Sequence, residues 1–256
     1  MQQLSSYDVL AIFYERYWGR AFLDGSIRLF QGELVWRLRP GDPVLELCCG
    51  AGFFAHWLAE KGYEATGIDG SGAMLTHARR RLQTARFVQC DARSFCLPQR
   101  FSAAVCFYNS LNQFLEPSSL RALLASAYCH LKPQGWFLFD IVLEHGYVQF
   151  WDADESVVHG EETCELRYRF DYCSGLVSCL VTIGPNDAPP AHRRQLLLKQ
   201  RPYSIPFITE ELSRAGFELT AVRPCLLACR QKAAWRSWRA VPCGLELFPN
   251  SQEEDH

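Results

Sequence analysis

Apolar positions along the first forty residues fall at helical spacing. Leu10, Phe13, Tyr14, Tyr17 and Trp18 lie near one face of a segment running from Tyr7 to residue 38, and Gly25 is expected to divide it into two helices. Pro40-Gly41-Asp42-Pro43 then predicts a turn. Beyond it short apolar runs alternate with amphipathic ones. Strands are predicted at 44–48, 65–68, 86–89, 103–108 and 136–142. Helices are predicted at 52–61, 72–82 and 118–131, with Gly62 as a C-terminal stop and Ser118 or Ser119 as a cap. Lys132-Pro133-Gln134-Gly135 is expected to turn the chain into the fifth strand. Strands that alternate with helices require right-handed crossovers and a parallel sheet covered on both faces.

The periodicity changes near residue 150. Strands are expected at 157–159, 164–172, 176–183 and 194–199 with no helices between them. Glu165, Arg167, Arg169 and Asp171 alternate with Leu166, Tyr168, Phe170 and Tyr172, a period of two. This predicts a small antiparallel sheet inserted after the fifth strand. A helix at 208–215, stopped by Gly216, and a strand at 217–222 resume the α/β pattern. A last strand is expected between Leu226 and Phe248 without a definite position. The fold class is therefore α/β: a doubly wound, mostly parallel seven-stranded sheet with an antiparallel insertion. The expected division is a helical lid over 1–40, a ligand-binding core over 41–150, the insertion over 151–202, completion of the core over 203–250 and a frayed tail over 251–256.

Composition narrows the class. The chain has 256 residues, 48% hydrophobic and 21% charged, ordinary for a globular protein. A net charge of −2 gives no long-range attraction to phosphate backbones, so no nucleic-acid partner is expected. The basic run Arg79-Arg80-Arg81 reads as a solvated helix end. No apolar run approaches the roughly 18 residues of a membrane span, and the opening residues carry no secretory pattern, so a cytoplasmic protein without membrane association is expected. The 12 cysteines lack zinc-site spacing and are expected to be reduced, mostly as small core residues, with no metal bound.

The chemistry concentrates at three strand ends. Val44-Leu45-Glu46-Leu47-Cys48-Cys49-Gly50-Ala51-Gly52 is a strand with a carboxylate, then a glycine turn, then a helix. Such a turn lets a ligand approach the backbone. Asp69 ends the second strand, 23 residues after Glu46, where doubly wound sheets accept ribose hydroxyls. Asp91 ends the third. The three carboxylates converge on the crevice at the carboxyl ends of the strands. The glycines alone also fit an NAD-type site, although Ala55 stands where that site wants a third glycine.

Together these runs resemble the class I S-adenosylmethionine (SAM) dependent methyltransferases over roughly residues 44–140. "VLELCCGAG", "GIDGSGAMLTHAR", "FVQCDARSF", "FSAAVCFYNSLNQF" and "LKPQGWFLFDI" follow the family's motifs in order. Cys48 stands where most members have the first glycine, and Ser102 where many have aspartate. The resemblance implies SAM as cofactor. It places Glu46 near the methionine amino group, Cys48, Gly50 and Gly52 along its carboxylate and backbone, and Asp69 with Gly70 at the ribose. Met74 would pack on the adenine, Asp91 and the Ala92 backbone would pair with its edge, and Phe107 would face the sulfonium.

The arrangement of lid and insertion further resembles small-molecule methyltransferases of the sugar-amine and glycine type. This implies a small-molecule acceptor, with nitrogen the favoured atom. Tyr14, Tyr108 and His145 become candidate proton acceptors, and Tyr17, Trp18, Asn109 and Asn112 candidate acceptor contacts. Tyr108-Asn109-Ser110-Leu111 lacks the prolines of the amino-methylating DNA enzymes. The competing readings are a noncatalytic SAM-fold interaction protein and an NAD-dependent oxidoreductase. A monomer, or a homodimer through the insertion, is expected.

Overall fold

Strand β1 (Pro43–Leu47) runs through the middle of the larger sheet because its side chains have apolar partners on both faces. Leu45 and Leu47 join one core cluster and Val44 joins another. The same division repeats along the neighbouring strands β4 (Phe101–Cys106) and β5 (Leu131–Phe139). Ala104, Cys106, Phe137 and Phe139 face the first cluster, and Ala103, Val105 and Leu138 the second. Helices α5 (Pro117–His130) and α7 (Ile205–Ala215) cover the first face with Leu120, Leu123, Leu124, Ile208 and Leu212. Helices α2 (Gly19–Glu33) and α3 (Phe53–Glu60) cover the second with Phe30, Phe54 and Leu58. The computed structural model describes residues 6–81, 85–150, 154–223 and 226–231.

With β2 (Glu64–Asp69), β3 (Arg86–Gln89), β10 (Phe217–Arg223) and β11 (Leu226–Gln231), the strand order is β10-β11-β5-β4-β1-β2-β3. The five strands β5-β4-β1-β2-β3 are mutually parallel, and β11 and β10 extend them antiparallel. The strand left unplaced by the sequence is β11, wedged between β10 and β5. Trp235, Trp238 and the 251–256 tail lie outside the described residues. The second sheet, β6 (Asp154–His159), β7 (Glu162–Asp171), β8 (Leu176–Pro185) and β9 (Arg194–Gln200), is four-stranded and antiparallel throughout.

Three local expectations are corrected. Gly25 does not divide the N-terminal segment, because α2 runs through it with open space beside it. The irregularity falls earlier, where a π-helical turn (Tyr14–Trp18) joins the short α1 (Ala11–Phe13) to α2. Lys132-Pro133-Gln134-Gly135 is not a turn ahead of β5. It is a bulge within it, since pairing jumps from Phe101↔Leu131 to Ala103↔Trp136 and Gln134 takes φ +65°. Helix α5 starts at Pro117, whose fixed φ suits a first helical position, rather than behind a serine cap. Helix α4 (Gly72–Arg81) follows β2, and a short α6 (Glu144–Phe150) follows β5. Nine of the cysteines are free, and four of these are buried. No helix of the described residues is long and apolar enough to cross a membrane.

Candidate active site

At the carboxyl edge of the large sheet a cavity of about 1100 Å³ opens between the strand ends, the N-terminal helices and the inserted sheet. One wall comes from the loops after β1, β2 and β3: Cys48, Gly50, Asp69, Gly70, Asp91 and Ala92, with Met74 from α4. Asp69 organises this wall. Its Oδ2 accepts the Gly50 N–H at 2.8 Å and its Oδ1 accepts the Ser71 N–H at 2.8 Å. Gly50 takes φ +52°, and a Cβ there would lie 3.3 Å from the Tyr14 ring, so the lid closes directly on the glycine turn. Cys48, at φ +56°, adopts a conformation that its β-carbon disfavours, which is where the family pattern has glycine.

The lid is tied down at two points. The Asp8 carboxylate accepts the Ser71 hydroxyl and the Ala73 N–H at the start of α4. Glu15 pairs with Arg81 at the other end of that helix, and the Arg81 guanidinium stacks 3.6 Å over Phe53. These ties bring Tyr7, Tyr14, Trp18 and Phe22 over the cleft. The opposite wall is one face of the insertion. Leu166 and Tyr168 of β7, Val177 and Cys179 of β8, and Leu198 and Gln200 of β9 point inward, following the period of two read from 164–172. The floor between the walls is the loop after β4, with Tyr108, Asn109 and Ser110, and Asp140 just past β5.

The site is acidic and poorly solvated. Burial raises the Asp69 carboxyl above the ordinary aspartate range despite its two backbone donors. Burial also raises Glu46, which is 1% exposed. Its Oε2 has no partner, while the Ala55 N–H at the start of α3 holds the carboxylate. Asp91 is the exception: its bidentate pairing with Arg93 lowers it. Burial lifts the Tyr14 and Tyr108 hydroxyls well above the usual phenol range, so both stay protonated at neutral pH. The Tyr108 hydroxyl is buried beside Ser26. Asp140 accepts the Tyr108 and Asn109 N–H groups at 3.0 and 2.9 Å, and burial pushes its carboxyl to about 7.

The cavity gathers most, but not all, of the residues named from the sequence. Glu46, Gly52 and Phe107 lie behind the wall rather than on it. Gly52 is needed for packing, since a Cβ would sit 2.8 Å from Ala78 and 2.7 Å from the Phe87 ring. His145 is exposed on α6 and does not line the cavity. Asn112 does not line it either. Its amide donates to the Val142 and Arg201 carbonyls and accepts the Val142 N–H, tying three segments together. Tyr17 has a side chain outside the described residues. Asp8, Asp140, Tyr168 and Gln200 were not singled out from the sequence. Only the strand-end position of Asp140, directly after an apolar run, could have signalled it. Among the described residues no cluster suited to a metal ion is present.

Fold and site together define a doubly wound domain with a cavity over the ends of β1, β2 and β3. Comparison with known proteins narrows this: residues 44–135 match the family model described as a methyltransferase domain. A putative methyltransferase of Bacillus subtilis is 36% identical over 102 residues, 38% of this chain and 41% of the relative. The dTDP-3-amino-3,4,6-trideoxy-alpha-D-glucopyranose N,N-dimethyltransferase of Streptomyces venezuelae is 36% identical over 99 residues, 39% and 42% of the two chains. A glycine/sarcosine N-methyltransferase of Halorhodospira halochloris is 32% identical over 149 residues, 52% and 56%. The chain thus spans about half the length of these curated relatives. A methyltransferase structure from Streptomyces caelestis superposes with a TM-score of 0.75 at 20% identity, covering 90% of this chain and 99% of that one, which shows a shared fold.

Proposed function

We propose that this protein transfers the methyl group of SAM to an amine nitrogen of a small molecule. One observation carries the reading. Of the ten residues the sequence assigns to the cofactor, seven (Cys48, Gly50, Asp69, Gly70, Met74, Asp91 and Ala92) share one wall of a single cavity. The wall fits the cofactor chemically. Asp69, with two lone-pair directions left beyond its backbone bonds, suits a ribose diol, and the open space beside Gly70 admits it. Buried Met74 offers a flat apolar surface to a base, and Asp91 and the Ala92 backbone offer an acceptor and a donor at its edge. The partnerless Glu46 oxygen lies nearby as an anchor for a cation. SAM, when bound, supplies an electrophilic methyl carbon on a sulfonium.

The protein's part is to orient the acceptor in line, exclude water and handle its proton. The protonated Tyr14 and Tyr108 present π-faces and hydroxyl dipoles to a cationic centre rather than acting as bases. The nitrogen preference rests on the named activities of the sugar-amine and glycine/sarcosine relatives. Calorimetric titration tests the reading: SAM and its demethylated product should bind, and NAD should not. Absence of binding by both sulfur nucleosides at millimolar concentration rules it out. Binding without methylated product from any of a panel of amines would instead favour a noncatalytic interaction protein.

A further inference from the structure

Asp140, like Glu116 and Glu155, is an acidic group of the cleft that the cofactor wall leaves unused. Asp69 and Asp91 follow β2 and β3, and the first is engaged by the Gly50 and Ser71 N–H groups, the second by Arg93. Asp140 follows β5, on the other side of β1 and β4, beside the loop that carries Tyr108 and Asn109. It lines the cavity, and each of its oxygens takes one backbone N–H, at 3.0 and 2.9 Å. Those two bonds fix the carboxylate plane and leave one lone pair on each oxygen for a ligand. The same bonds hold Tyr108 and Asn109 at φ +63° and +51°, conformations that non-glycine residues seldom adopt. Such a loop persists only where its surroundings over-determine it.

We propose that Asp140 is the proton acceptor for the methyl-accepting amine; the inference rests on the transfer reaction proposed above. The acceptor arrives as an ammonium ion and gives one proton to the Asp140 carboxylate, which frees the nitrogen lone pair. Nitrogen then bonds to the methyl carbon while the carbon–sulfur bond breaks and its electron pair stays on sulfur. The methylated product leaves as a cation, and Asp140 passes its proton to water. The groups facing Asp140 are Cys106 at the end of β4, Tyr108 on the loop and Tyr147 on α6. Burial raises Tyr108 and Tyr147, a hydrogen bond with Cys48 and burial raise Cys106, and the Asp140 charge adds to each, so all three are neutral in the working range. A carboxyl near 7 among neutral neighbours has the affinity a general base needs at physiological pH.

Two measurements test this, one of which needs no turnover. In the protein saturated with S-adenosylhomocysteine, the ¹³C carboxyl signal of Asp140 and the Tyr108 and Asn109 amide signals should titrate together near pH 7. Dimethylammonium, used as a probe cation, should lower that midpoint. No titration between pH 5 and 9, or a midpoint indifferent to the probe, overturns the proposal. For any amine the wild type methylates, Asp140→Asn should reduce kcat by about 10²–10⁴-fold and abolish the acidic limb of its pH profile. At pH 5.5, where Asp140 is already protonated, SAM affinity should stay within about twofold. Asp140→Glu, which keeps the acid, should recover part of kcat if the asparagine variant folds poorly. Unchanged kcat in a folded Asp140→Asn protein refutes the role while leaving SAM-dependent transfer standing. Failure of the wild type to bind SAM refutes the transfer reading itself.

Discussion

Asp69→Ala is expected to weaken SAM binding by about 1–3 kcal/mol, roughly fivefold to 150-fold, because ribose hydroxyls lose a charged acceptor. The structure adds a second cause. The same carboxylate receives the Gly50 and Ser71 N–H groups, so its removal also loosens the glycine turn and the start of α4. Asp69→Asn separates the two effects, because its carbonyl oxygen can replace only one of the two acceptors. Affinity is read by calorimetry on protein whose circular dichroism matches wild type. A folded Asp69→Ala protein with wild-type affinity would show that the ribose lies elsewhere.

Gly52→Ala should be the most damaging small substitution in the core. A β-carbon there would stand 2.7 Å from the Phe87 ring and 2.8 Å from Ala78, on a backbone at φ +73°. Overpacking costs about 1–3 kcal/mol and the left-handed conformation about 1–2. A total of about 2–5 kcal/mol lowers Tm by roughly 4–20 °C in a chain of this size. Gly25→Ala is the control, since it sits inside α2 with nothing within 4 Å. It should be neutral or stabilising by up to about 1 kcal/mol. Equal melting temperatures for the two variants would contradict the packing assigned to Gly52.

What was legible in the chain was local. Strand, glycine turn and helix follow one another over 44–61, and three carboxylates end three successive apolar runs. The alternation at 165–172 told which side chains of β7 face the cavity, because a strand's period of two is a property of the strand itself. What escaped was set by contacts distant in sequence. The bulge in β5 depends on register with β4, thirty residues earlier. Asn112 looked like a substrate contact but joins carbonyls 30 and 89 residues away. His145 looked like a proton acceptor, yet it is exposed on the short helix α6. Asp140 stood in view at a strand end, and only its neighbours reveal its chemistry. The lid's tie to α4 joins Asp8 to a serine 63 residues on, which no periodicity announces.

The concentration of buried acid around the cleft has a thermodynamic corollary. Asp69, Glu46 and Asp140 all hold protons more tightly in the folded chain than in the unfolded one. Their contribution to stability is therefore fully present at acid pH and is lost as pH rises through their folded values, which for Asp140 is about 7. A ligand bearing a positive sulfonium shifts those values back down, so its capture expels protons into the medium. The neutral thioether left after transfer expels fewer. By linkage, the ratio of cofactor to product affinity climbs with pH across that interval. Inhibition by the spent nucleoside should accordingly fade in mildly alkaline buffer, giving the cleft a built-in preference for exchanging used cofactor for fresh.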